Sequence, residues 1–434
     1  MERSKVTARK PDQAAHPLAG APGELSIPAH LQRFLIRQPI LDQHYRVAGY
    51  ELALRERVPV PAIPGAQSLQ QMRDEMLLTG VIDLAYQRAL GDRLTFLAVA
   101  PDTLMNPLVT QLPSDRIVLT LSGAAQIHAT EALHEALSRG GITLAVDDPP
   151  RLPEIAPLLR QCRYIRLDVT RHAVSSLIDH MQTLQRSGKT RLIARNVETE
   201  EAFEACRKLQ FDLFQGYYFT CLQPGFRNRI DSSRQRIMEL LNLVMTQADA
   251  AQIEARFKTD AGLSYKLLRL INSPAFGLRG PVKSIGQALM LLGYDQLYRW
   301  LTLLLFTQGP ADPRSQALLR NALIRARFAE HLGESRLPAG ARGGLFLVGI
   351  LSTLDALFNV PMEQALSQLR LPDEVVAALT RQEGVYAPYL RLVLACEHFD
   401  QEGIAQLAEL VGSSAEEVNL AHVKAMIWAE ELDT

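Results

Sequence analysis

The feature that most constrains this chain is a change of hydrophobic period about halfway along it. Up to Ala194 the apolar residues come in short runs: Phe34-Leu35-Ile36, Thr95 to Val99, Ile117 to Leu121, Thr143 to Val146, Tyr164 to Leu167 and Arg191 to Ala194. Runs of that length suit buried strands, and segments of helical character separate most of them, such as Thr130 to Ser138 and Glu200 to Leu209. Thr199 stands where an N-cap would, with Glu200 and Glu201 in the favourable first turn. Strand and helix in alternation imply parallel pairing, and repeated closure gives a (β/α) barrel of the TIM type. The segment ending near Pro224 is small for a full barrel, so trimmed or missing helices are expected.

From Arg227 onward the sequence contains no convincing strand. Asp249 stands three residues before Gln252, and Ser284 three before Gln287, both capping-box spacings. Ile285, Ala288, Leu289 and Leu292 share one helical face, with Gly293 as terminator. Asp295 can then cap a helix carrying Leu297, Trp300, Leu301 and Leu304, and similar patterns recur at Ala365-Leu366 with Leu369 and at Val375-Val376 with Leu379. The expected fold is therefore α/β followed by all-α. A disordered leader rich in Pro, Ala and Gly is expected over residues 1–30, a barrel domain over 31–224 and a helical domain over 225–434.

Composition narrows the partners. The chain has 434 residues, room for two or three cores, and a net charge of -1 that offers no global field to nucleic acid or anionic lipid. The most apolar stretches, Trp300 to Phe306 and Leu345 to Leu351, fall well short of the ~20 residues that span a bilayer. The N-terminus lacks the apolar core of a signal peptide. Cys162, Cys206, Cys221 and Cys396 are dispersed, which reads as buried reduced thiols and a cytoplasmic setting.

Five motifs follow one another in the first half: Glu51-Leu52-Ala53-Leu54, Asp147-Asp148, Arg166-Leu167-Asp168, Ala194-Arg195-Asn196-Val197-Glu198-Thr199 and Gln215-Gly216-Tyr217. In that order they resemble the motifs of the EAL family, metal-dependent phosphodiesterases that open cyclic di-GMP. Arg37-Gln38-Pro39-Ile40 also looks like that family's opening strand. The chemistry needs carboxylates at strand ends that hold two hard cations about 3.5–4 Å apart. The resemblance assigns Glu51 as first ligand, but it places Ala98 where an Asn ligand belongs and Thr120 where a Glu begins an E-x-T-E run. Asp147 and Asp148 are kept, followed by the stiff pair Pro149-Pro150 in place of Phe-Gly. Arg166 replaces the lysine that would assist water activation and is too basic to exchange a proton. Arg195 reverses the charge of a Glu, whereas Asp168, Glu198 and Gln215 remain. These losses imply no efficient hydrolysis and no metal or other cofactor. Glu51, Asp147 and Asp148 would pair with Arg166 or Arg195, and binding of intact cyclic di-GMP stays open.

In the second half, the run from Asp260 to Gly277 is close to the signature of HDOD domains, all-helical relatives of HD phosphohydrolases. Leu263, Lys266, Leu267, Asn272, Ser273, Phe276 and Gly277 carry the match, supported by Ser284-Ile285 and Leu291-Leu292-Gly293. No His-Asp pair occurs; Ser352 and Asp355 resemble the G-x-x-S-x-x-D pattern of HDOD domains attached to degenerate EAL domains. The resemblance covers about residues 31 to 430. It implies a bacterial signal-transduction scaffold without enzymatic activity that contacts other signalling proteins, in control of motility, surface attachment or biofilm behaviour. A non-hydrolysing cyclic di-GMP receptor and a residual phosphodiesterase are the alternatives.

Overall fold

The computed structural model describes residues 33–56, 69–82, 88–113, 115–121, 141–149, 159, 161–172, 177–178, 181, 190–223, 230–273, 276, 280–308, 312–398 and 401–433. The expected leader, the helix at Thr130 to Ser138 and Gly277 lie outside them.

Eight strands close into a barrel in chain order: β1 (Arg33–Asp42), β2 (Val47–Glu56), β3 (Leu94–Val99), β4 (Ile117–Leu121), β5 (Thr143–Asp147), β6 (Tyr164–Asp168), β7 (Arg191–Arg195) and β8 (Leu213–Gln215). Strands β2 to β8 pair in parallel, and β1 runs antiparallel to both β2 and β8. All six apolar runs of the sequence are strands. Ile40, Phe96, Val118, Ala145, Tyr164, Ile193 and Leu213 form one buried core cluster contributed by seven strands. Side chains alternate with period two along a strand, so the residue two positions further along shares the inward face. That step leads from the apolar layer to Ala98, Thr120, Asp147, Arg166, Arg195 and Gln215, all near the C-terminal ends of their strands.

Among the described residues the barrel carries helix α1 (Leu69–Ile82) between β2 and β3, short 3-10 turns between β3 and β4, and α2 (Glu200–Lys208) between β7 and β8. Thr199 caps α2, its side chain accepting from the Ala202 N–H. Twelve further helices follow: α3 (Ser232–Met245), α4 (Ala250–Lys258), α5 (Ala261–Ile271), α6 (Ile285–Thr307), α7 (Pro313–Gly333), α8 (Ala339–Leu351), α9 (Leu354–Phe358), α10 (Met362–Leu366), α11 (Asp373–Thr380), α12 (Ala387–His398), α13 (Gln401–Leu410) and α14 (Ala415–Asp433). Gly293, with φ 72° and ψ 170°, breaks the helical path inside α6 where the sequence places a terminator.

The chain forms two compact units. One spans Leu240–Trp300, and the other combines the described part of Ile27–Glu239 with Leu301–Thr434. In the first, Asp260 caps α5, which buries Leu263, Leu267 and Ile271. In the second, α12 and α14 lie against β1, and α7 packs on α8 and α14. Gly349 lets α8 approach α7 closely, since a Cβ there would stand 2.3 Å from Ala326 Cα.

Candidate functional site

The charged layer above the apolar barrel core is organised by Arg166. Its side chain is fully buried, with Nη2 2.8 Å from Glu51 Oε1 and Nε 3.0 Å from Asp147 Oδ1. Nη1 donates to Thr120 Oγ1 at 3.2 Å. The guanidinium also lies 5.9 Å from the Phe96 ring centroid. From β6 it thus engages β2, β4 and β5. Arg195 on β7 donates to Asp147 Oδ2 at 2.8 Å, so two guanidinium groups share that carboxylate. Gln215 donates through Nε2 to Glu51 and, at 2.6 Å, to Gln38 Oε1.

Burial alone would raise the Glu51 pKa, but Arg166 and Arg195, with hydrogen bonds from Arg166 and Gln215, hold it below its ordinary value. Burial pushes Asp147 upward, helped by Glu51 and Asp148 and opposed by the two arginines. Burial would also lower Arg166, yet Asp147 and Glu51 overcome it and keep the guanidinium charged.

A second cluster adjoins the first through the register of β5, β6 and β7. Asp148, at φ 39°, accepts the Asp168 N–H at 2.7 Å and lies 3.4 Å from His172 Nε2. Asp168 accepts from the Thr170 N–H and hydroxyl at 3.0 and 2.6 Å and from Asn196 Nδ2 at 2.9 Å, and pairs with Arg171 at 3.1 Å. Against the upward push of burial, these partners hold its pKa low. Glu198 is exposed and accepts the Tyr217 N–H at 3.4 Å. Gly216 permits that return of the chain: at φ 149°, a Cβ would stand 1.9 Å from the Val197 carbonyl oxygen.

The fold thus brings Glu51, Ala98, Thr120, Asp147, Asp148, Arg166, Asp168, Arg195, Glu198 and Gln215 to one end of the barrel. Gln38, Asn196 and His172 join them without having been singled out. Gln38 and Asn196 stand inside motifs quoted for other residues, and His172 has no sequence signal beyond lying four residues after Asp168. A divalent centre does not fit this arrangement. Ala98 offers no oxygen, Thr120 accepts from Arg166, and Glu51 and Asp147 already face cationic guanidinium groups. Among the described residues no three His, Cys, Asp or Glu side chains are set to hold a metal ion.

The helical signature residues do not form a comparable cluster. Leu263 and Leu267 are core residues of α5, Lys266 is half-buried and Phe276 partly exposed. Asn272 pins the turn after α5: its Nδ2 donates to the Leu268 and Val282 carbonyls, and its Oδ1 accepts the Val282 N–H at 2.7 Å. The Ser273 carbonyl accepts the Phe276 N–H at 3.1 Å. In the other unit, Ser352 Oγ accepts from Arg325 Nη1 at 3.0 Å, and Arg325 pairs with buried Glu397 at 2.7 Å. Burial raises the nearby Asp355 carboxyl.

Residues 229–376 match the family model of the HDOD domain. A cyclic di-GMP phosphodiesterase of Vibrio cholerae, CdgJ, is 27% identical over 405 residues, taking in 92% of this chain and 93% of that protein. The uncharacterized protein YuxH of Bacillus subtilis is 26% identical over 415 residues, 92% of this chain and 98% of that protein. Among solved structures, the EAL enzyme Bd1971 in its cAMP and cyclic-di-GMP bound form matches with a TM-score of 0.36 and 16% identity, over 43% of this chain and 61% of that chain. Klebsiella pneumoniae BlrP1, in a manganese/cy-diGMP complex, matches with a TM-score of 0.35 and 21% identity, over 46% and 57%. Both matches take in less than two thirds of the solved chain. The fold defines a barrel joined to a helical HDOD region. With the ordered motifs of the barrel, the chain resembles signalling proteins of the EAL–HDOD kind.

The CdgJ match corrects one expectation. The ligand losses imply a chain without enzymatic activity, yet a relative aligned over nearly its whole length is named a phosphodiesterase. The physical reason is that loss of single ligands on individual strands leaves the remaining acidic side chains in place. The fold still gathers Glu51, Asp147, Asp148, Asp168 and Glu198 at one barrel end, with the partly exposed Arg195 beside Asp147. No helix among the described residues is long and apolar enough to cross a membrane.

Proposed function

We propose that this chain is a cyclic di-GMP signalling protein whose barrel end takes the dinucleotide and hydrolyses it slowly. What carries the reading is the alignment with CdgJ over 92% of the chain, spanning the barrel and the helical region together. The geometry supports a phosphodiester at this end through Arg195. Its side chain is about a quarter exposed, and one nitrogen holds Asp147. A planar guanidinium is suited to phosphate oxygens. Arg166 is fully engaged and would brace the layer beneath. Turnover is slow because the carboxylates that would gather metal ions are held by guanidinium groups, and it persists in the presence of a chelator. The helical region then passes the nucleotide state to other signalling proteins, in motility, surface attachment or biofilm control. The test is chromatography of cyclic di-GMP incubated with the full chain, with and without EDTA. Linear product above that of Arg195→Glu is expected; no product beyond that control overturns the assignment of hydrolysis.

A further inference from the structure

The barrel end contains a cation of its own. Three of the groups around Arg166 come from three different strands, Glu51 from β2, Thr120 from β4 and Asp147 from β5, and a separate nitrogen addresses each at 2.8 to 3.2 Å. A divalent ion bound by carboxylates does the same work, drawing oxygen donors from several strands onto one positive centre. The charge count closes without one: Glu51 and Asp147 against Arg166 and Arg195. A dication entering between Glu51 and Asp147 would lie beside two fixed positive charges and meet carboxylates that already face guanidinium groups. We propose that Arg166 is the built-in cation of the barrel, holding Glu51, Asp147 and Thr120 together in place of a divalent ion and excluding such an ion. The side chain cannot swing aside at little cost, because it is fully buried and any departure leaves the buried Glu51 carboxylate without its ion-pair partner. This goes beyond the proposed function and stands whether or not cyclic di-GMP is turned over.

The experiment reads manganese(II) uptake by electron paramagnetic resonance on the full chain, where bound ion loses the six-line signal of free ion. Wild type is expected to leave the signal intact at equimolar metal. R166M, which keeps the volume and removes the charge, is expected to bind about one equivalent with at least tenfold higher affinity. Adding E51Q to R166M should abolish that uptake. Stoichiometric uptake by wild type that D147N removes would overturn the proposal, as would a folded R166M that binds no more manganese than wild type. If circular dichroism shows R166M unfolded, R166K takes its place. It keeps one charge but cannot reach all three groups, so uptake above wild type supports the proposal and equal uptake overturns it.

Discussion

Arg166 acts where a family pattern predicts a lysine, and its reach explains why residue-by-residue matching describes only part of this site. The losses at Ala98 and Thr120 and the charge reversal at Arg195 are legible in the sequence because the motifs keep their order. The pairing of Glu51 and Asp147 with Arg166 or Arg195 is legible as well, but not that Arg166 alone would take both carboxylates and Thr120, since these partners meet only when the barrel closes. Two residue changes test the packing logic. Gly216→Ala should destabilise the protein by about 2–4 kcal/mol in urea unfolding, because its Cβ has no room beside the Val197 carbonyl. Arg325→Ala should cost about 3–5 kcal/mol by removing the cation from buried Glu397, whereas the double change Arg325→Met with Glu397→Leu should lose less. An equal loss in both would show that the pair itself stabilises the helices.

Elements differ in how plainly the sequence announces them. The six apolar runs are legible as strands because burial on both faces keeps them mostly apolar, with single inward polar residues such as Thr120 and Arg166. β8 escapes that reading because three residues are too few to show a period, and β2 because its inward Glu51 interrupts the apolar pattern. The covering of β1 is also hidden. Arg37 donates to Asn321 on α7 at 3.1 Å, Asn419 on α14 accepts the Leu35 N–H at 2.7 Å, and Arg320 donates to the Tyr50 hydroxyl at 2.6 Å. His422, also on α14, stacks on Phe328 at 4.6 Å, with Nδ1 3.3 Å from the Leu35 carbonyl oxygen. Burial, with Arg37 close by, lowers its pKa to about 3. An unfolded histidine takes up a proton below about pH 6.5, whereas the folded one does so only near the lower value. Stability should therefore fall as the pH is lowered through that window, by up to several kcal/mol. Replacing His422 by Gln should flatten that limb of the stability profile. An unchanged slope would mean that another group sets it.

At the scale of the molecule, the barrel and the last helices belong to one compact unit, although a long stretch of chain lies between them in sequence. The outward face of β1 meets α12 and α14, and the ion pair of Arg88 with Glu431 at 2.8 Å joins the barrel to the end of α14. A fragment ending at residue 230 should then show no cooperative thermal transition, while the full chain does; a sharp transition in the fragment would show that the barrel stands alone. Calorimetric titration of the full chain with cyclic di-GMP tests whether the charged barrel end takes the dinucleotide. Saturable binding near one dinucleotide per chain is expected, weakened at least tenfold by Arg195→Glu with the fold retained. Absence of heat in wild type, or equal binding by the folded variant, would contradict it.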